Sequence, residues 1–117
     1  MSNDTFLLSH TPTTEHRVTM KDNSVILSQT VTFDLSSDRD SLKFFLQAVK
    51  EDKKVRHTYT VAEFIFEYDP SGHELERFWI MRRATGRCIV MGYSTAYRLL
   101  LALTGKTERL IREEPTP

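Results

Sequence analysis

Two fragments of the chain carry residue types that do chemistry. Gly92-Tyr93-Ser94-Thr95-Ala96 is one residue away from the G-x-S-x-G turn that lifts a nucleophilic serine between a strand and a helix. Gly105-Lys106-Thr107 looks like the end of a phosphate-binding loop. Neither has the surroundings its chemistry needs. The hydrolase turn requires a histidine after the serine and a large, mainly parallel sheet. Here His10, His16, His57 and His73 all precede Ser94, and 117 residues are too few for such a sheet. The phosphate loop requires a glycine five residues before Gly105, where Leu100 stands. We therefore expect Ser94 to cap a helix with its hydroxyl and Gly105 to end that helix in a left-handed conformation.

Other reactive groups are dispersed. The histidines and Cys88 show none of the paired spacings that hold a metal, so no metal, cofactor or catalytic residue is assigned. Cys88 lies in an apolar stretch and is expected to be an inert core thiol. An enzyme assembled from scattered residues would have only Ser94, His57, His73 and Glu63 to draw on.

The strongest constellation is a basic, aromatic hairpin. Arg77-Phe78-Trp79-Ile80-Met81-Arg82-Arg83, with Arg87 across the next turn, is followed by Tyr93 and Arg98. Trp, Tyr and Arg anchor protein interfaces when desolvated, and arginine pairs bidentately with carboxylate or phosphate. Net charge is zero, yet residues 77–112 hold eight basic residues against one acid, and residues 1–76 hold eight against thirteen. That asymmetry points to an anionic partner. Partner binding is accordingly expected through Arg77, Trp79, Arg82, Arg83, Arg87, Tyr93 and Arg98, to a protein or a second copy of the chain, with RNA or DNA as the alternative. The opposing expectation is internal: Glu63, Glu67, Glu74 and Glu76 lie on or beside the facing strand, where cross-strand pairs would neutralise the arginines.

The elements that position this hairpin follow from periodicity. Ser24 to Asp34 alternates Val25, Leu27, Val31 and Phe33, with Gln29 as the exception, and is expected to be one half-buried strand, with a short strand over Arg17 to Met20 before it. Leu42, Phe45, Leu46 and Val49 recur at helical spacing and predict a helix from about Asp38 to Glu51, with Ser36-Ser37-Asp38 as capping residues. Thr58 to Tyr68 predicts a strand, Asp69-Pro70-Ser71-Gly72 a type I turn, and Glu76 to Arg83 the return strand. Thr85-Gly86 marks the next reversal into Cys88 to Met91, and Ser94 starts the last helix, with Ala96, Leu99, Leu100 and Leu103 on one side. TERLIR fits a helical turn or a short strand equally.

The expected product is a single α+β domain over residues 16–112, a two-layer antiparallel sheet in the order β(β)-α-β-β-β-α with both helices on one face. Residues 1–15 and 113–117 are expected to be flexible tails, with no internal repeat between them. The hairpin carries apolar residues on both faces, so the face away from the helices is left as a partner interface. No stretch approaches the roughly 20 apolar residues of a membrane span, no secretory leader is visible, and a single cysteine fits a reducing cytoplasmic setting.

Overall fold

The protein, seen in a computed structural model, is described for residues 4–10 and 14–113. Strands β1 (Thr5–His10), β2 (Glu15–Lys21), β3 (Ser24–Ser28) and β4 (Thr32–Asp34) precede helix α1 (Arg39–Glu51). Strands β5 (His57–Thr60), β6 (Phe64–Tyr68), β7 (Phe78–Arg82) and β8 (Cys88–Met91) precede helix α2 (Tyr93–Leu103), and β9 (Ile111–Glu113) follows. The fold is α+β and its sheets are antiparallel, as the pattern predicts. There are two sheets, however, ordered β4-β3-β2-β1-β9 and β5-β6-β7-β8.

The element order is that of a repeat: a four-strand meander and a helix, twice over. Nothing in the residue pattern signals it, because the two units share topology without sharing residues. Each helix leans chiefly on the other unit's sheet, α1 against β5 and β6 and α2 against β1 and β2, while the helices also touch each other. The two helices therefore do not lie on one face of one sheet. Their exchange leaves one continuous core from Phe6 to Leu103, in which Phe45 of α1 meets the rings of Tyr59, Phe66 and Phe78, and Phe33 of β4 meets Phe64 of β6.

Three expectations change in the first unit. Residues 5–10 of the expected tail are strand, with Phe6 and Leu8 buried and β1 bonded on both sides, by β2 and by β9; Glu15 already belongs to β2, and residues 1–3 and 11–13 lie outside the described residues. Ser24 to Asp34 is two strands, turning where Gln29 donates its backbone N–H to the Val31 carbonyl at 2.9 Å. A hairpin whose loop preserves the inward–outward parity leaves the alternation of Val25, Leu27 and Phe33 unbroken, so the turn is hidden. The predicted caps of α1 do other work: Ser36 Oγ accepts the Val25 N–H at 2.9 Å and itself donates to Asp34 Oδ1, and no side chain caps the helix.

The second unit divides in the same way. Thr58 to Tyr68 folds back at Ala62-Glu63, with Val61 N–H donating to the Phe64 carbonyl. The predicted turn at Asp69 forms, Gly72 N–H donating to the Asp69 carbonyl at 3.1 Å, but the connection runs on to Arg77 before β7 begins. Gly92 is the N-cap of α2, with no side-chain cap, so Ser94 stands inside the first turn and does not perform the expected capping. Glycine is required at 92 because a Cβ there would lie 2.6 Å from the Glu74 carbonyl oxygen. At the far end Gly105, at φ 77°, gives the expected left-handed cap, and Lys106 N–H donates back to the Leu101 carbonyl. TERLIR is both alternatives in turn, a 3-10 turn at Thr107–Arg109 and then β9. Of the expected C-terminal tail, Glu113 is instead the last residue of β9, paired with Thr5, and residues 114–117 lie outside the described residues.

Candidate interaction surface

Strand alternation sorts the second sheet into a sealed face and an open one. Phe64, Phe66, Tyr68, Phe78, Ile80, Ile89 and Met91 point into the core and are buried. Ile65, Glu67, Trp79, Met81, Cys88 and Val90 point the other way and are half-buried, in cross-strand rows of Ile65–Met81–Cys88 and Glu67–Trp79–Val90. Arg56, Ile65, Glu67, Trp79, Met81 and Cys88 line a shallow cleft of about 260 Å³ on this face. The turn after β6 folds against the same face, where a Cβ at Gly72 would sit 3.6 Å from Trp79 Cη2. Arg56 stands 3.8 Å from Glu67 at the rim, a loose exposed pair.

The predicted partner-binding residues separate into two groups. Trp79 belongs to the open face, and Arg82, Arg83 and Arg87 are exposed at the β7–β8 turn that ends it. Arg83 reaches back to the Val61 and Ala62 carbonyls at 3.2 and 3.3 Å. Arg77, by contrast, donates from Nε to the Gly72 carbonyl at 3.1 Å and holds the β6–β7 loop closed. Arg98 donates to the Leu8 carbonyl at 3.0 Å, tying α2 to β1 at the irregularity between Leu7 and Ser9. Tyr93 packs 6.2 Å from Phe78 on the core side, with Lys53 Nζ 4.4 Å above its ring. Those three are parts of the scaffold.

The expected neutralisation by glutamates does not occur. Among the described residues no carboxylate lies within 4.0 Å of the guanidinium groups of Arg77, Arg82, Arg83 or Arg87, and Glu67 pairs with Arg56 instead. Sequence reasoning passed over Arg56 and Cys88 as parts of this surface. Cys88 shares the open face with Trp79 through its pairing with Met81, and it is half-exposed where a core thiol was expected. Desolvation, with a smaller contribution from Glu67, pushes its thiol above the usual range, which keeps it protonated and a weak nucleophile.

The scattered catalytic candidates do not converge. His57 Nε2 bonds the Asp52 carbonyl at 2.8 Å, His73 Nδ1 accepts the Leu75 N–H at 3.2 Å, and Ser94 is exposed on α2. The close serine–histidine contact is elsewhere. Ser9 Oγ lies 2.5 Å from His16 Nδ1, and His16 Nε2 lies 2.8 Å from the Val90 carbonyl, so the neutral ring donates to Val90 and accepts from Ser9. Burial holds the His16 pKa below the ordinary imidazole value, opposed in part by that carbonyl. With Nε2 committed to a strand carbonyl and, among the described residues, no carboxylate bonded to the ring, the arrangement pins two sheets together and lacks the parts that activate a serine. Among the described residues no group of three or more His, Cys, Asp and Glu side chains is placed to hold a metal. Among the same residues no helix is long and apolar enough to cross a membrane.

No family model, curated protein or solved structure matches the chain. The functional reading rests on the geometry alone.

Proposed function

We propose that this chain is a small non-enzymatic binding domain that engages a protein partner on the open face of its second sheet. The observation that carries the reading is the half-buried cluster of Ile65, Trp79, Met81 and Cys88 on the open face, bordered by Arg56 and by the turn arginines. Half-exposed apolar side chains around a tryptophan, with arginines at the border, are the composition of an interface centre and its rim. Arg56 and Glu67 put both signs of charge at the cleft, which suits a polypeptide better than a uniformly anionic ligand. A thiol kept protonated and a single cysteine fit a reducing cytoplasmic setting.

The test uses Trp79 as its own reporter, since it is the chain's one tryptophan. Partners captured on immobilised protein are identified, and each is titrated into wild type and Trp79→Ala. Binding that shifts tryptophan emission in the wild type and weakens at least about tenfold in the variant supports the reading. A captured protein whose affinity ignores Trp79→Ala and Met81→Ser defeats it.

A second reading, single-stranded RNA or DNA on the same face, is favoured by one observation, the absence of carboxylates beside Arg82, Arg83 and Arg87 among the described residues. Bases would stack on Trp79 and phosphates would meet the arginines. A mixed oligonucleotide pool should then quench Trp79 at low salt and release it as salt rises. No quenching at low salt removes this alternative.

A further inference from the structure

The second sheet has two edges, and the protein treats them differently. Arg82 N–H donates to the Arg87 carbonyl, which sets the phase of the β7–β8 ladder and turns the main-chain groups of Cys88 and Val90 away from the sheet. There His16 Nε2 of the first sheet meets the Val90 carbonyl, so one outward group of that edge is taken up within the fold. At the other edge Val61 N–H donates to the Phe64 carbonyl, which directs His57 and Tyr59 at β6 and turns the N–H and C=O of Thr58 and Thr60 outward. Both threonines are exposed, and nothing among the described residues bonds those groups. An open edge is commonly blunted by proline, lysine or a bulge. His-Thr-Tyr-Thr contains none of these.

Apolar surface lies beside the same edge. Phe44 is 60% exposed and Val55 47% exposed, and the Tyr59 ring sits 5.7 Å from Phe44. We propose that a second copy of this chain pairs with β5, strand against strand and antiparallel about a two-fold axis, joining the two four-stranded sheets into one.

The strand is complementary to itself. Residues opposed across an antiparallel seam must both turn their main-chain groups towards it. With Tyr59 on the axis, Thr58 of each copy faces Thr60 of the other, and this is the register in which every outward group of β5 finds a partner within β5. The Phe44–Tyr59 side then meets its own image. The ends complement each other in charge. Lys54 and Arg56 precede the strand, while Glu63 follows it close enough to act on Asp38, and antiparallel pairing sets one end beside the other. Arg83 also stands at the acidic end, but it is turned back onto the Val61 and Ala62 carbonyls. Such a contact repeats one patch on both subunits and so closes as a dimer.

This pairing uses a different surface from the Trp79 face, so the two readings fail separately. Sedimentation velocity on the full chain should give the mass of two chains. Thr58→Pro removes an outward N–H that bonds nothing among the described residues, and it should weaken association at least about tenfold. Since proline can also disturb the strand, Phe44→Ser, at an exposed helix position, should weaken association to a similar degree with the far-ultraviolet spectrum unchanged. A wild-type chain that stays monomeric up to its solubility limit overturns the proposal, as does a dimer that survives both variants. A dimer lost only in Trp79→Ala overturns it too, by assigning self-association to the open face.

Discussion

The two meander-and-helix units have the same order of elements and opposite outer surfaces. On the first sheet the outward rows are Thr5–Thr19–Ile26–Asp34 and Leu7–Arg17–Ser28–Thr32, hydroxyl and charged side chains with two aliphatic ones among them. On the second they are Thr60–Ile65–Met81–Cys88 and Thr58–Glu67–Trp79–Val90, where two threonines at the β5 edge and a single charge accompany larger apolar groups. The inner surfaces do not differ in this way, since both are built of large buried groups, Phe6, Leu8, Val18, Val25, Leu27 and Phe33 in the first and Phe64, Phe66, Tyr68, Phe78, Ile80, Ile89 and Met91 in the second. Folding constrains the inner faces alike, because each must be covered by the other unit's helix. The outer faces are free of that demand, so their divergence reports what each meets outside the chain.

The contrast has meaning only if the units are parts of one cooperative structure. Phe45 belongs to the first unit and packs its ring against three rings of the second, so Phe45→Ala should cost about 3–5 kcal/mol, more than any other change proposed for this chain. Both sheets should be lost in one transition, seen together in Trp79 fluorescence and backbone dichroism. A first sheet that persisted after the second had melted would show two separable units and end the comparison.

The unequal edges give the next effect. His16→Ala leaves the Val90 carbonyl without its donor and should cost about 1–3 kcal/mol at neutral pH. The wild type should carry the same dependence in its pH profile. His16 is held neutral in the fold, so below about 6.5, the ordinary imidazole value, the unfolded chain takes up a proton that the native chain refuses. Stability should be level above that value and fall as pH drops beneath it, with the fall ending once the native ring also protonates. Denaturant midpoints between about pH 5 and 7 check the sign, and the slope should shrink in His16→Ala. An unchanged slope would mean that the pin between the sheets contributes nothing to it.

The core of this fold was more legible in the sequence than its topology. Leu42, Phe45, Leu46 and Val49 announce α1 because a helix can bury them only along one stripe, and the structure buries all four. The reversals at Gln29 and at Ala62-Glu63 were invisible because neither uses glycine, asparagine or proline; strand parity runs straight through the first, and at the second, where the inward side passes from Tyr59 to Phe64 and Phe66, apolar residues on both faces mask the switch. β1 was missed because its alternation is short, Phe6 and Leu8 within a polar setting, and its place comes from β2 and β9 on either side. The candidate surface was half legible. Residue type picked out Trp79 and the turn arginines, but Arg77 and Arg98 looked the same in sequence, and only their carbonyl partners, one of them ninety positions away, make them scaffold.

Matched changes on the two outer faces sharpen the comparison further. Ile26→Ser and Ile65→Ser each alter a half-buried aliphatic residue on an outward row, and each should cost about 1 kcal/mol of stability. Partner affinity should separate them, falling for Ile65→Ser and holding for Ile26→Ser, as read by titration against any partner that perturbs Trp79. Equal losses would assign binding to both sheets and remove the functional meaning of the contrast.

The smallest effect on folding should come from Arg82→Glu combined with Arg83→Glu. Both side chains are exposed, neither has a carboxylate partner among the described residues, and only Arg83 gives up bonds, to two carbonyls at the turn. The free energy of unfolding should therefore change by no more than about 0.5 kcal/mol, which leaves ligand binding readable without correction for stability. If the turn arginines serve the rim of a protein interface, the change should slow association and flatten its salt dependence while dissociation stays nearly the same. If they hold phosphates, affinity itself should collapse and the salt slope should drop by about two, one for each contact removed. An affinity and salt slope both untouched would confine the interface to Trp79 and its neighbours, and the difference between the two units would then lie in apolar area alone.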